Sequence, residues 1–304
     1  MNVELHCHNI FSNYRSNSSR LPFDCGVSLE DQLNEALKKN VQALFVTNHN
    51  TLDGYHQILE YQKTHDRYSN IQIYPGEEIT IDNKGHVLAY GLDKEISPGK
   101  TLEETLDEIK RQGAVSCAAH PFAVSNGIRK KARLCDMIES FNSNNIDKFS
   151  NMVASKFAAE NGLLSIAGSD SHIASTFGRS VNTVEAENNL DAILQKMLAG
   201  QFKIQAAQYA TAKEIYEHAH YILSNSRATL LEYASQYHPR AHIAAKWALN
   251  SFVRHPNNRF WRALGSFALY LTKRASKKVN MEGYDEDIFE KRSWRTLISM
   301  SFTP

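Results

Sequence analysis

Residues 2–8 read NVELHCH and residues 41–50 read VQALFVTNHN. Each is a short apolar run that finishes on histidine. Successive side chains of a strand alternate faces, so His6 and His8 project one way and Cys7 the other. Working outward, the same form recurs in IQIYPGEEIT (71–80), HVLAYGL (86–92), AVSCAAHP (114–121), DMIESFN (136–142) and LLSIAGSDSH (163–172). Helical stretches lie between several of these runs. SLEDQLNEALKKN has Ser28 as N-cap, Asp31 three residues on, and a stripe of Leu29, Leu33, Ala36 and Leu37; TLEETLDEIKRQG ends at Gly113. Strands alternating with helices argue for a largely parallel sheet. In barrels of βα units the active site is built at the C-terminal strand ends, which is where these histidines and carboxylates fall. The expected fold is α/β, a distorted (β/α) barrel over residues 1–205, followed by a helical, basic region over 206–304.

Composition agrees with a globular chain. Of 304 residues, 42% are hydrophobic and 22% charged, which is enough apolar material for a substantial core. The net charge of +1 hides an asymmetry: residues 201–304 carry 15 Lys+Arg against 8 Asp+Glu (+7), and the first 200 carry 19 against 25 (−6). Two units with different jobs are expected. Cys7, Cys25, Cys117 and Cys135 form no close-spaced pair, which suits free thiols in a reducing compartment. There is no signal-peptide pattern at the start, and the longest apolar run, ALGSFALYL at 263–271, falls well short of the ~20 residues that span a bilayer. A cytoplasmic location is expected.

The donors gathered from the strand ends are His6, His8, His49, Glu78, His86, His120, Asp170 and His172. Imidazole and carboxylate together suit Zn²⁺, Mn²⁺ or Fe²⁺, and this many donors exceeds the needs of one ion. A cluster of two or three divalent cations is therefore expected. Any one of these residues alone would be unremarkable, because an HxH pair or a His before Pro is usually structural. Their common phase at strand ends is what scattered surface histidines would not keep. Glu77 and Glu78 are adjacent, and alternation turns only one of them inward.

Taken in order, ELHCHNIFSN, LFVTNHNTLDGY, YPGEEIT, GHVLAYG, AAHPF, MIESFN and AGSDSH resemble the motifs of the PHP (polymerase and histidinol phosphatase) family over residues 3–200. TFGRSVNTVEAENNLDAILQKMLAG resembles the segment that closes such domains. The resemblance implies a first cation held by His6, His8, Glu78 and Asp170. Glu78 would bridge to a second, completed by His86 and His120. A third would use His49, His172 and a residue shortly after the HxH. There the chain departs from the family: the expected Ser-Asp reads Ser12-Asn13, and the Asp expected before His49 is Asn48. Asn13 offers only a neutral carbonyl oxygen, so a weaker or differently filled third site is expected.

Two ions sharing a carboxylate, ~3.5–4 Å apart, can hold a bridging hydroxide and clamp a phosphoryl oxygen. The resemblance thus implies a metal-dependent phosphoesterase acting on a small phosphomonoester, a nucleotide or an oligonucleotide end. Asp170 and His172 are the candidate catalytic groups. Arg129 and Arg179, each following a ligand-bearing strand, are the candidate phosphate binders; the alternative for both is an ordinary surface arginine. Two other readings compete. One is an amidohydrolase-type hydrolase, whose barrels often bridge their metals with lysine where this chain has Glu78. The other is a catalytically degenerate PHP module that keeps its metals for stability or partner contact, which Asn13 and Asn48 favour.

Residues 254–278 mix Arg254, Arg259, Arg262, Lys273, Arg274, Lys277 and Lys278 with Phe260, Trp261, Phe267 and Tyr270 at helical spacing. Such a helix either caps the barrel with its aromatics inward or meets an anionic membrane surface or nucleic acid; contact with a membrane would make the protein peripherally membrane-associated. The loop SNYRSNSSRLPFDCG at 12–26, with Arg20, is long enough for a lid, though an ordinary surface excursion explains it equally.

Overall fold

The structure, a computed structural model, describes residues 1–15 and 21–282. Arg20 and the centre of the expected lid lie outside the described residues. Nine strands form one sheet that curls into a nearly closed barrel: β1 (Asn2–Cys7), β2 (Ala43–Val46), β3 (Gln72–Thr80), β4 (His86–Tyr90), β5 (Val115–Ala118), β6 (Met137–Asn142), β7 (Leu164–Gly168), β8 (Ser180–Val184) and β9 (Phe202–Ala207). Their spatial order is β7-β6-β5-β4-β3-β2-β1-β8-β9. The seam closes where the residues after β7 meet the end of β1. There Asp170 N–H donates to His6 O (2.7 Å) and His8 N–H to Ser171 O (3.2 Å).

The expectation of a largely parallel sheet needs correcting. β1/β2, β2/β3, β5/β6 and β6/β7 are parallel, whereas β3/β4, β4/β5, β1/β8 and β8/β9 are antiparallel. The cause at β4 is local. Residues 81–85, IDNKG, make a tight turn in which Asn83 Oδ1 accepts from Gly85 N–H and Lys84 adopts φ +65°, so the chain reverses directly into β4.

The helices between strands form as their patterns require. In α1 (Leu29–Lys38) Ser28 caps Asp31 N–H, and Leu33 and Ala36 are buried, while Leu37 stays exposed. α2 (Asp53–Lys63) follows β2. α3 (Leu102–Arg111) starts with a reciprocal Thr101–Glu104 capping box, and Asp147 caps α4 (Lys148–Asn161). α5 (Leu190–Leu198) sends Ile193 and Met197 into a core shared with Val3, Phe45, Leu88 and Ile166. That core fills one end of the barrel, with the N-terminal halves of the parallel strands and the C-terminal residues of antiparallel β4 and β8, and leaves the other end, where β4 begins at His86, for polar groups.

Past β9 the chain is helical: α6 (Ala212–Asn225), α7 (Arg227–Tyr237), α8 (His242–Arg254) and α9 (Arg259–Met281). None of the described helices is long and apolar enough to cross a membrane. The stretch 254–278 has two different sides. On one, Gly265 lies against the Tyr216 ring, Trp261 meets Phe252, and Ala275 and Ser276 are buried, Ser276 beside Ser150 of α4. On the other, Phe260, Leu264 and Phe267 are about half exposed, on a run from Tyr233 to Met281 that contains no carboxylate.

Candidate metal centre

The eight strand-end donors converge. β1 delivers His6 and, just past its end, His8 to the barrel mouth, and the segments following β2, β5 and β7 bring His49, His120 and Asp170 toward them. His120 and Asp170 take left-handed backbone angles (φ +26° and +49°), which are costly for residues other than glycine. Glu78 is the hub. Its Oε2 lies 3.4, 3.2 and 3.1 Å from His6 Nε2, His8 Nε2 and His49 Nδ1; its Oε1 lies 2.7 Å from His86 Nδ1 and 2.9 Å from His120 Nε2. Glu77 points to the opposite face, as alternation requires, and accepts from Ile96 N–H at 2.9 Å.

The donor set fits cations on geometric grounds. Four ligand atoms ~2.0–2.1 Å from a tetrahedral ion stand about 3.3–3.4 Å from one another. Asp170 Oδ1 lies 3.5 Å from His6 Nε2 and 3.3 Å from His8 Nε2, and Glu78 Oε2 stands 3.4 and 3.2 Å from the same two nitrogens. Buried His6 Nε2, His8 Nε2, His49 Nδ1 and Glu78 Oε2 make no hydrogen bond despite these approaches. Lone pairs that crowd together without bonding one another, in a place water does not reach, are what a cation resolves. The far ring nitrogens are already committed. His6 Nδ1 bonds Glu139 Oε1 and His8 Nδ1 bonds Ser12 Oγ, both at 2.9 Å, which aims each Nε2 at the centre.

Electrostatics lead to the same conclusion. Burial alone would raise Glu78, Asp170 and Asp24, but surrounding imidazoles outweigh it and hold all three carboxyls well below their usual range. Among the described residues no Lys or Arg pairs with any of them. Burial pulls His172 down, yet Asp24 and Asp170 raise it to about 10. A pocket that draws protons onto a buried imidazole this strongly would draw a divalent cation as well.

Asp24 is the residue sequence reasoning missed. Its Oδ2 stands 2.9 Å from His172 Nε2 and 3.2 Å from His49 Nε2, where Asn13 was expected to contribute. Asn13 is occupied elsewhere: Oδ1 accepts from the N–H groups of Asp24 and Cys25 (2.7 and 2.9 Å), and Nδ2 donates to Cys25 O. The asparagine shapes the loop that brings the carboxylate in. A signal was available, because Asp24 is the only acidic residue between His8 and Ser28. Asn48 lies beside the centre, with Oδ1 accepting from Asn9 N–H (2.9 Å) and from Ser12 Oγ–H (3.1 Å), so it braces the Ser12 that orients His8.

Glu139 was also passed over, although it lies inside MIESFN. Besides His6 it accepts from His120 N–H (2.7 Å) and Asn142 Nδ2 (2.9 Å), joining three elements of the site. Gly168 makes this approach possible, since a Cβ there would lie 2.1 Å from Glu139 Oε1 and 2.5 Å from His6 Cβ. The guanidiniums of the expected phosphate binders are engaged with groups outside the donor cluster. Arg129 donates to Phe122 O (2.8 Å), Ala123 O (3.1 Å) and Asn280 Oδ1 of α9 (2.9 Å), and Arg179 pairs with Glu214 of α6 at 2.6 Å. Both guanidiniums tie the C-terminal helices to the barrel. His218 of α6, another residue with no motif around it, reaches the rim as well. Burial and His172 push it down to about 4, so it is neutral, and its Nε2–H donates to Asp24 O at 2.7 Å.

Comparison with known proteins agrees with this architecture. A family model described as PHP-associated matches residues 148–202, from α4 to the first residue of β9. An uncharacterised protein of Methanocaldococcus jannaschii is 28% identical over 158 residues, which is 51% of this chain and 89% of that protein. Among solved structures, PsfC from Pseudomonas syringae PB-5123 superposes over 75% of this chain and 98% of its own, with TM-score 0.51 and 20% identity. The lesion-specific endonuclease of Pyrococcus furiosus superposes over 67% of this chain and 57% of its own, with TM-score 0.48 and 17% identity. At such identity the likeness to PsfC is one of fold. A PHP-associated segment at residues 148–202 thus stands behind seven motifs that resemble those of the PHP family in their order.

Proposed function

We propose that this chain is a metal-dependent phosphoesterase, hydrolysing a phosphate ester at the mouth of its barrel. The observation that carries the proposal is Glu78, one carboxylate whose two oxygens face two separate donor groups, His6/His8/His49 and His86/His120. Divalent cations bound on either side of such a carboxylate supply Lewis-acid polarisation of a phosphoryl oxygen and an activated water. The side chains supply the rest. Asp170 presents Oδ1 to the centre while Asn142 Nδ2 holds its Oδ2 at 3.1 Å, which positions it to take up a proton. His172 Nδ1–H donates to Asp170 O (2.9 Å), which turns its Nε2 toward Asp24 (2.9 Å). His172 and His49 are the groups to support the leaving oxygen.

The centre is narrow: Asp24 and His86 side chains are 20% and 14% exposed, and His6, His8 and Glu78 are covered. A small phosphomonoester, a nucleotide or the free end of an oligonucleotide suits such an opening. Glu78 in the bridging position favours this chemistry over the amidohydrolase reading. The grounds for a degenerate module, neutral residues at positions 13 and 48, weaken because Asp24 supplies a carboxylate to His49 and His172 and Asn48 braces Asn9 and Ser12.

The test is to load the full chain with Mn²⁺ or Zn²⁺ and offer nitrophenyl phosphate, its diester and a cyclic amide. Phosphoester turnover that falls at least ~100-fold in Asp170→Asn and His120→Ala is expected. Turnover unchanged in both variants would place the chemistry elsewhere, and hydrolysis of the amide alone would replace the proposal.

A further inference from the structure

One face of α6 grips the rim of the barrel at three successive levels. Glu214, at the first turn, closes a capping box with Thr211 and takes Arg179 at 2.6 Å. Four residues on, His218 donates to the Asp24 carbonyl at 2.7 Å, and its ring centroid lies 4.9 Å from that of His172. Three further on, Tyr221 Oη accepts from Asn13 Nδ2 at 3.2 Å, and its ring lies so close to Gly26 that a Cβ there would be 2.9 Å from it. Positions i, i+4 and i+7 share one side of a helix, so the three contacts form a single docking face.

All of this bears on a short segment. Residues 24–26 belong to no helix or strand, and they hang from Asn13 on one flank and from His172 O, which accepts from Gly26 N–H at 2.9 Å, on the other. The Asp24 carboxylate must reach across to His49 and His172 from this loop. The one α6 bond to Asp24 itself is the one from His218.

We infer that His218 is a positioning residue for the third cation site, holding the Asp24 main chain so that its carboxylate meets His49 and His172. The inference rests on reading those three side chains as a cation site. Through it, a helix outside the barrel sets the affinity of one ion of the cluster. Groups that orient a ligand typically alter metal affinity about 10–100-fold when removed.

The experiment measures ion stoichiometry and affinity in the full chain, stripped with chelator and titrated with Zn²⁺ alone by calorimetry and elemental analysis. Three equivalents are expected for the wild type. His218→Phe keeps the ring and loses the N–H, and should weaken the last equivalent by about 10–100-fold while leaving the first two unchanged. His218→Gln restores an N–H donor and should recover most of that loss, which a purely packing role would not give. Tyr221→Phe, a milder change on the same face, should show a smaller loss and keeps the test open if His218→Phe folds poorly. Lys213→Ala, on the exposed side of α6, should bind as wild type.

Asp24→Asn separates the two levels of the argument. If it loses the third equivalent while His218→Phe retains it within about twofold, His218 does not position the site and the inference fails. If wild type and Asp24→Asn bind the same number of ions, the cation reading of Asp24, His49 and His172 fails, and the inference goes with it.

Discussion

Glu77 provides a test of the strand that carries the hub, independent of any catalysis. It is fully buried on the face away from the metal centre, with Oε2 on Ile96 N–H and Oε1 without a partner. Burial, helped by the nearby Glu95 and opposed by the Ile96 N–H, pushes its carboxyl from 4.5 up to about 8. A carboxyl raised in the folded state stays protonated there while the unfolded chain ionises. Its contribution is therefore complete below about pH 4.5, declines as pH rises toward 8, and is gone above that. At 1.36 kcal/mol per unit the loss is on the order of 5 kcal/mol, an upper bound because the buried site can relax. Glu77→Gln keeps the shape and removes the ionisation. Urea unfolding of the chelated protein, followed by far-ultraviolet circular dichroism across this range, should show the variant close to wild type near pH 4.5 and a few kcal/mol more stable near pH 9. The difference between the two proteins cancels the other titrating groups. A gap that does not change with pH, or a variant less stable at the alkaline end, would refute the burial of a neutral Glu77 and with it the inward assignment of Glu78.

Glu139→Gln should place an amide N–H against one of its three donors and lower the affinity of the cation at His6, His8, Glu78 and Asp170 by about 10–100-fold; competition with a chromophoric chelator reads this, and an unchanged affinity would show that His6 needs no such brace. Arg179→Met should cost roughly 1–3 kcal/mol in unfolding because it strands the buried Glu214, while leaving KM for a phosphate ester within about twofold; a stable variant with a KM raised about tenfold would restore the phosphate-binding role. Removing the cations with chelator should lower thermal stability, by about 2.7 kcal/mol for a site previously held at a hundredfold excess over its Kd, and readdition of Zn²⁺ should recover it. A melting curve indifferent to chelator would count against the cluster.

How far the sequence was legible depended on how far each inference had to reach in space. Strand alternation acts over one residue, and it separated His6 and His8 from Cys7, and Glu78 from Glu77, without error. The position of a donor at a strand end is nearly as local, and the side chains picked out by spacing do converge. The direction of β4 was misjudged because the βα rhythm was extended across a turn whose own residues, Asn83 to Gly85, already encoded the reversal. Asn13 was chosen over Asp24 because proximity along the chain to the HxH stood in for proximity in space; the loop between them returns, and the asparagine spends its carbonyl on that return. Arg129 and Arg179 find partners that spacing did not suggest, for a related reason. A place after a ligand strand fixes the Cα of an arginine, but the partners of their guanidiniums, Asn280 and Glu214, lie 151 and 35 residues further on, in a region without motifs.

Those distant partners change what the charge asymmetry means. A front part at −6 and a tail part at +7 suggested two units that could act separately. Besides the packing of α9 on α4, where Ser276 lies beside Ser150, the polar contacts between them gather at the rim. Arg179 with Glu214, Asp24 with His218, Asn13 with Tyr221 and Arg129 with Asn280 all join the C-terminal helices to loops that follow ligand-bearing strands or carry Asp24. A helical region whose role was only to cover apolar surface would have been equally stable packed anywhere on the barrel's outer helices. It packs on α4 and also holds the loops next to the donors, bonding the main chain of Asp24 directly. Substitutions at the half-exposed Phe260, Leu264 and Phe267 of α9 should leave the centre unchanged, whereas substitutions on the docking face of α6 should be felt at the metals first.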